Sequence, residues 1–320
     1  MSPGQQEAVA LLHVIVAVAK ADGRLVADER KAIEAALAEA KLDKVIDAKA
    51  LFDDDFELTD HLPRLGSPEA RDDAYRSAFS VAYVDGDCSP TERALLDSLR
   101  RELDISPERE AELARLFALL AGNAPDKKQP PAYVADPGER AEAIRHATRR
   151  CAFVSAVLGA FPIPGLALVT DLAVIALQVS LVRDIAALSG RDLDKRAAKA
   201  LLTGVGVSGT RLAISNFAKL LPGWGSVVGA TTSFASSYAV GTVFAKHFAS
   251  AGGQAQLESG VDRAAFKQAE AEGRRAYAEH KDEIVAKERA SRDALEALAR
   301  EVKAGKLTES ELVERASMLP

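Results

Sequence analysis

Two stretches of this 320-residue chain place carboxylates around a tight turn, and they match each other at an offset of 63 residues. The first runs from Ala21-Asp22-Gly23 to Asp28-Glu29-Arg30, the second from Val84-Asp85-Gly86 to Thr91-Glu92-Arg93. In both, an apolar helical pattern ends at an Asp-Gly turn, and a Glu follows seven residues after the Asp, in the first turn of the next helix. Gly23 and Gly86 permit the positive φ that such a turn needs. The Asp side chains can accept backbone N–H groups, and the Glu side chains sit near a positive helix end. Two such hairpins packed face to face bring Asp22, Glu29, Asp85 and Glu92 toward one region. Two readings of that region stay open. Clustered carboxylates suit a hard divalent cation, calcium or magnesium; alternatively each residue is a turn or cap and no ion is involved. An EF-hand is excluded, because neither copy has its alternating oxygen ligands and terminal Glu.

Other chemistry finds little support. His13, His61, His146, His247 and His280 are far apart in sequence and show no zinc-type spacing. Cys88 lies in a turn, and Cys151 reads as a small core residue on an apolar helix face. Two cysteines make no disulfide framework, which fits a reducing compartment. Gly204-Val205-Gly206-Val207-Ser208-Gly209-Thr210 lacks the Lys and the preceding strand of a phosphate loop. With no nucleophile or general base beside the acids, no catalytic residue is assigned and no enzyme is expected. A metal-dependent hydrolase is the last-ranked alternative.

The elements that position these residues read as helices throughout, so the expected fold class is all-α. Apolar residues recur at helical spacing through Val9, Leu12, Val16 and Ala19, and again through Ile33, Leu37 and Ala40. Ser67-Pro68-Glu69, Ser89-Pro90 with Glu92, and Ser106-Pro107-Glu108 each read as a helix start, with an N-cap, a first-turn Pro and an early acid. Residues 1–122 thus form an N-terminal helical bundle with an internal two-copy Asp-Gly hairpin. Residues 123–138, containing Pro125, Pro130, Pro131 and Pro137, read as a semi-rigid linker.

Charge separates the two halves. The formal net charge of −6 combines −10 over residues 1–124 with +4 over the rest, and only 12 charged side chains fall within residues 151–250. Residues 139–253 are expected as a second domain of apolar helical hairpins. They are broken by Phe161-Pro162-Ile163-Pro164-Gly165 and by Leu221-Pro222-Gly223-Trp224-Gly225, two breaks about 58 residues apart. Residues 220–245 carry no charge, which is long enough to span a bilayer. They are also rich in Ser and Thr and lack flanking aromatic belts. Membrane insertion and a protein-packed helical core therefore both stay open, with Asp171 needing a partner in lipid and serving as a helix cap otherwise. Residues 260–318 read as charged C-terminal helices. One long, lightly packed helix is expected from Asp262 to Arg300, followed by a short one that Thr308 caps with Glu311. The polar opening residues do not read as a cleavable leader.

Residues 5–122 resemble the TerB-like family, the helical domain of tellurite-resistance proteins and of some membrane-anchored co-chaperones. The resemblance rests on the two Asp-Gly turns with Glu29 and Glu92. It implies a helical bundle with a divalent-metal-binding acidic cluster, which falls here on Asp22, Glu29, Asp85 and Glu92. The first copy departs from the second, with Val26-Ala27 in place of Ser89-Pro90 and Arg24 in place of Asp87. Residues 139–250 resemble the YcjF-type domain of unknown function, on Phe161-Pro162-Ile163-Pro164-Gly165, Asp171-Leu172 with Gln178, and Lys219-Leu220-Leu221-Pro222-Gly223-Trp224-Gly225. That resemblance implies a membrane or membrane-proximal role and association with a GTPase, which here would come in trans.

The expectation is a non-enzymatic stress-response or membrane-proximal accessory protein, with an ion-free soluble scaffold as the alternative. Its partners would be another protein, a membrane or a second copy of the chain; nucleic acid is not expected of an acidic chain with few aromatics. The expected location is the cytoplasm, with the inner membrane face left open.

Overall fold

The protein's structure, a computed structural model, describes residues 3–21, 30, 34, 47, 51–52, 56–83, 88–120, 130–160, 167–205, 226–250 and 263–316. Among these residues every regular element is a helix, so the fold is all-α. The described residues up to Phe117 form one compact unit and those from Ala118 onward form another.

In the first unit, α1 (Pro3–Ala21) is apolar on nearly every side: Val9, Leu12, Ile15, Val16 and Val18 are all buried, and only His13 and Ala17 in its middle are half-exposed. A helix with that pattern belongs at the centre of a bundle. It packs on α2 (Pro68–Tyr83), whose residues from Ala74 to Ala82 are likewise buried. Two 3-10 turns, Leu58–Asp60 and Leu62–Arg64, lie against α1. The helices α3 (Pro90–Glu102) and α4 (Pro107–Leu120) come next in the chain. The core gathers Leu12, Ile15, Leu65, Tyr75, Phe79 and Leu116, with Phe79 touching Tyr83 and Phe117. The expected helix starts are in place: Ser67 Oγ accepts the Ala70 N–H (3.1 Å), and Ser106 Oγ accepts the Arg109 N–H (3.2 Å). Between α3 and α4, Asp104 takes φ 56°, a left-handed turn that Asp tolerates better than most residues.

The second unit is built on close helix contacts. Here α5 (Pro137–Ala160) and α8 (Ser226–Ser250) run antiparallel, with Gly159 against Gly229 at one end and Thr148 against Gly241 at the other. A Cβ on Gly159 would sit 2.5 Å from the Gly229 carbonyl oxygen, so the backbones approach as only glycine allows. On the far side of α8, Gly273 of α9 (Arg263–Glu279) does the same against Ala235. The helix α6 (Ala167–Leu188) packs on α5 and α8, and is itself covered by α7 (Lys195–Gly204) and α11 (Glu309–Ala316). A buried polar seam pins the three central helices: Gln178 Nε2 of α6 donates to Ser236 and Ser237 of α8 (3.2 and 3.1 Å), and Ser237 donates to Ser155 of α5 (2.8 Å).

This packing bears directly on membrane insertion. Among the described residues, no helix is long and apolar enough to cross a membrane. From Val169 to Leu188, and from Gly229 to Ala245, no side chain is exposed, so these apolar helices are enclosed by protein. Asp171 is the fifth residue of α6 and is 6% exposed, so it is a buried helical side chain and not the expected cap.

Two further expectations differ from what is observed. The continuous helix expected from Asp262 to Arg300 is parted at His280 into α9 and α10 (Lys281–Lys303). No Gly or Pro marks the spot; the helices change partners there. Whereas α9 lies along α8, α10 crosses to α5, where the His280 ring meets Phe153 and Glu283 pairs with Arg149 (3.0 Å). Nor are these helices lightly packed: Phe266, Tyr277, Ile284 and Leu295 are buried, and Tyr277 and Ile284 join Phe153 and Phe234 in one cluster. The second difference lies in the expected linker, of which the stretch from Tyr133 to Asp136 is tied onto the second unit. The Val134 N–H donates to the Leu188 carbonyl (3.2 Å), and Arg140 donates to the Val134 carbonyl (2.9 Å). Thr308 and Glu311 form the expected reciprocal cap at the start of α11.

Candidate functional site

Of the four carboxylates singled out from the sequence, Glu92 lies among the described residues; Asp22, Glu29 and Asp85 lie outside them, as do Gly23 and Gly86. Pro162, Pro164, Gly165, Pro222, Gly223 and Gly225, the breaks of the second domain, also lie outside. Glu92 is 7% exposed in the first turn of α3. Its Oε2 accepts the Ser89 N–H (2.8 Å), while Ser89 Oγ accepts the Glu92 N–H (3.2 Å), with Pro90 as the first helical residue. This reciprocal cap satisfies two donors that the helix start would otherwise leave unmade. One Glu92 oxygen is therefore committed to the fold.

Glu7, in the second turn of α1, reaches the N-cap of α2: Ser67 donates to Glu7 Oε1 through both its N–H (3.3 Å) and its hydroxyl (3.2 Å). The two helices thus start side by side. The helices, of 19 and 16 residues, pack on one another and end at Ala21 and Tyr83. Those are the residues from which the chain enters its two Asp-Gly turns.

Around this frame the ionisable groups of the first unit are held in structural roles. Arg109 of α4 grips Asp72 of α2 with two donors (2.8 and 3.1 Å) and also pairs with Glu112 (2.8 Å), while Arg76 donates to Asp72 from within α2. Burial of Asp72 works to raise its pKa, but the Arg109 hydrogen bonds and the Arg76 and Arg109 charges overcome this and hold it below the usual carboxylate value. Arg100 and Glu110 pair across α3 and α4 (3.2 Å). Burial pushes the Cys88 thiol up, with a hydrogen bond from Tyr83 pulling the other way. A thiol raised in this way is a weak nucleophile at neutral pH.

The histidines hold a surprise. His13 and His61, 48 positions apart, stack with ring centroids 3.6 Å apart and planes 15° from parallel, and Phe56 meets both edge-on. No local signal in the sequence marks this pair. The His13 Nδ1–H donates to the Val9 carbonyl (2.7 Å). Burial, opposed in part by that hydrogen bond, lowers the His13 pKa to about 4; burial and the Arg64 charge lower that of His61. Ring nitrogens bind metals in the ring plane, so two nearly parallel rings cannot converge on one ion. The described residues contain no group of three or more His, Cys, Asp or Glu placed to hold a metal.

Residues 6–116 match the family model described as Tellurite resistance protein TerB. The match lies within the first unit and covers about a third of the chain. No curated protein and no solved structure matches the chain.

Proposed function

We propose that this chain is a non-enzymatic accessory protein related to tellurite resistance, whose TerB domain binds a hard divalent cation through the carboxylates of its two Asp-Gly turns. The observation that supports this reading is the Glu7–Ser67 junction, which sets the starts of α1 and α2, the two helices that precede the Asp-Gly turns in sequence, beside each other. Asp22, Asp85 and Glu29 would supply the ligand oxygens there, with Glu92 limited to the one oxygen that its cap leaves over. Hard oxygen donors of this kind suit calcium or magnesium. The cation's part would be to join the two hairpins and to turn a repelling acidic surface into a docking one.

Engagement of one Glu92 oxygen in the α3 cap favours a second reading, an interaction protein whose acidic residues meet a partner without an ion. Under either reading the second unit serves as a rigid helical scaffold. Its resemblance to the YcjF-type domain gives the class of partner, a GTPase carried by another chain, and a membrane-proximal place of action.

Isothermal titration of the full-length chain with calcium and magnesium separates the two readings. The cation reading requires saturable heat in the wild type that disappears in Asp22→Ala/Asp85→Ala. Absence of heat in the wild type, or heat unaltered by the double substitution, supports the ion-free reading.

A further inference from the structure

The strap that leads into α5 carries a side chain that neither the helical packing nor cation binding employs. Among the described residues, Tyr133 stands out as the exposed large hydrophobic side chain, at 57%. It closes the sequence Pro130-Pro131-Ala132-Tyr133, all four residues of which are exposed and lie outside any helix. Two consecutive prolines fix φ and disfavour the helical region for the residue before each, which biases Pro130 and Pro131 toward the polyproline-II conformation.

Immediately beyond Tyr133 the chain is anchored. Val134 gives its N–H to Leu188 and its carbonyl to Arg140, and the Ala135 carbonyl takes a longer bond from Arg140 (3.5 Å). Asp136 caps α5 by accepting the Glu139 N–H (2.8 Å). One edge of the Tyr133 ring rests over Gly190, which ends α6 in a left-handed conformation (φ 76°) where a Cβ would meet the ring at 3.1 Å. The ring is thereby held in place while more than half of its surface faces water.

We infer that Pro130–Tyr133 is a docking peptide for a polyproline-II-binding module, with an aromatic-lined groove for the prolines and a neighbouring pocket for the tyrosine. Such grooves recognise pre-formed, proline-fixed segments because little conformational entropy remains to be lost on binding. The anchoring of Val134 and Asp136 extends that economy, since the peptide is already ordered on a rigid unit. A tyrosine placed two residues after a Pro-Pro pair adds an amphipathic anchor of the type that dominates binding energy at interfaces.

The test is calorimetric titration of the intact chain with an isolated WW domain that binds Pro-Pro-x-Tyr peptides, in parallel with a synthetic peptide spanning residues 129–136. The intact chain should bind at one site per molecule, and Tyr133→Ala and Pro131→Ala should each weaken binding about tenfold or more. Pro131→Ala leaves the ring on Gly190 untouched, so it separates loss of docking from loss of local packing; thermal midpoints of both variants confirm that they are folded. Lack of binding by the intact chain overturns the inference, even if the free peptide binds. So does equal binding by the wild type and both variants.

Discussion

Because folded His13 resists protonation, the first unit should lose stability as pH falls below 6.5, before most carboxylates titrate. In the folded chain the ring takes a second proton only near pH 4, against an ordinary value of 6.5, because burial disfavours the charged form and the Val9 hydrogen bond only partly offsets it. The groups facing it are the stacked His61 ring, Arg64, and Phe56 with Lys20 over its face; Asp60 sits beside His61. The folded value is depressed, so the unfolded chain binds more protons between pH 6.5 and 4, and stability falls as pH falls through that window. The full shift corresponds to a loss of about 2 kcal/mol on going from pH 7.5 to 5, and the half-exposed ring reduces this to about 1 kcal/mol through solvent screening. The assay is urea unfolding of the full chain at pH 7.5, 6 and 5, with amide hydrogen exchange along α1 to assign the change to the first unit. His13→Phe keeps an aromatic ring against His61 and removes the titration. The wild type should lose about 1 kcal/mol more than His13→Phe across this range. Equal pH dependence in the two proteins, or a His13 resonance titrating near 6.5, would refute the reasoning.

Three other outcomes rest on packing and capping. Gly229→Val should unfold or severely destabilise the second unit, since even a Cβ there collides with the Gly159 carbonyl; Gly204→Ala, with nothing near its Cβ, should be neutral or stabilise by up to about 1 kcal/mol, and thermal melts of the pair distinguish them. Ser89→Ala should cost about 1 kcal/mol through loss of the α3 cap, read by urea unfolding, with little change in any cation binding. Asp72→Asn should cost roughly 1–2 kcal/mol by leaving Arg76 and Arg109 poorly paired between α2 and α4. Because the Asp72 pKa is depressed, its contribution is present above its unfolded value and lost as pH falls through the folded one, so wild type and variant should converge in strong acid.

The features legible in the sequence were those that depend on near neighbours. The caps at Ser67, Ser89, Ser106 and Thr308 were readable because an N-cap and its partner lie three residues apart. Helical class was readable from apolar spacing. The break at His280 was not, because α9 and α10 part where they exchange α8 for α5, a tertiary cause with no Gly or Pro to announce it. The His13–His61 stack joins an α1 residue to a turn 48 positions later, and no spacing rule connects them. Pro130 and Pro131 signalled a linker, yet the hydrogen bonds of Val134 and Arg140 hold the segment's end to the second unit. At the candidate site, the sequence offered Glu92 as both cap and ligand, and hydrogen-bond geometry assigns one of its oxygens to the cap.

The central claim, that the carboxylates of the two Asp-Gly turns bind a hard divalent cation, is tested most directly by manganese. Free manganese has a strong paramagnetic resonance signal that is lost on binding, and its oxygen-ligand preferences overlap those of calcium and magnesium. Titrated into the full-length chain, it should lose signal at one site per molecule, recover it on addition of calcium or magnesium, and show no such site in Asp22→Ala/Asp85→Ala. A signal that stays at its free value in the wild type, or a site that persists in the double variant, would contradict the account.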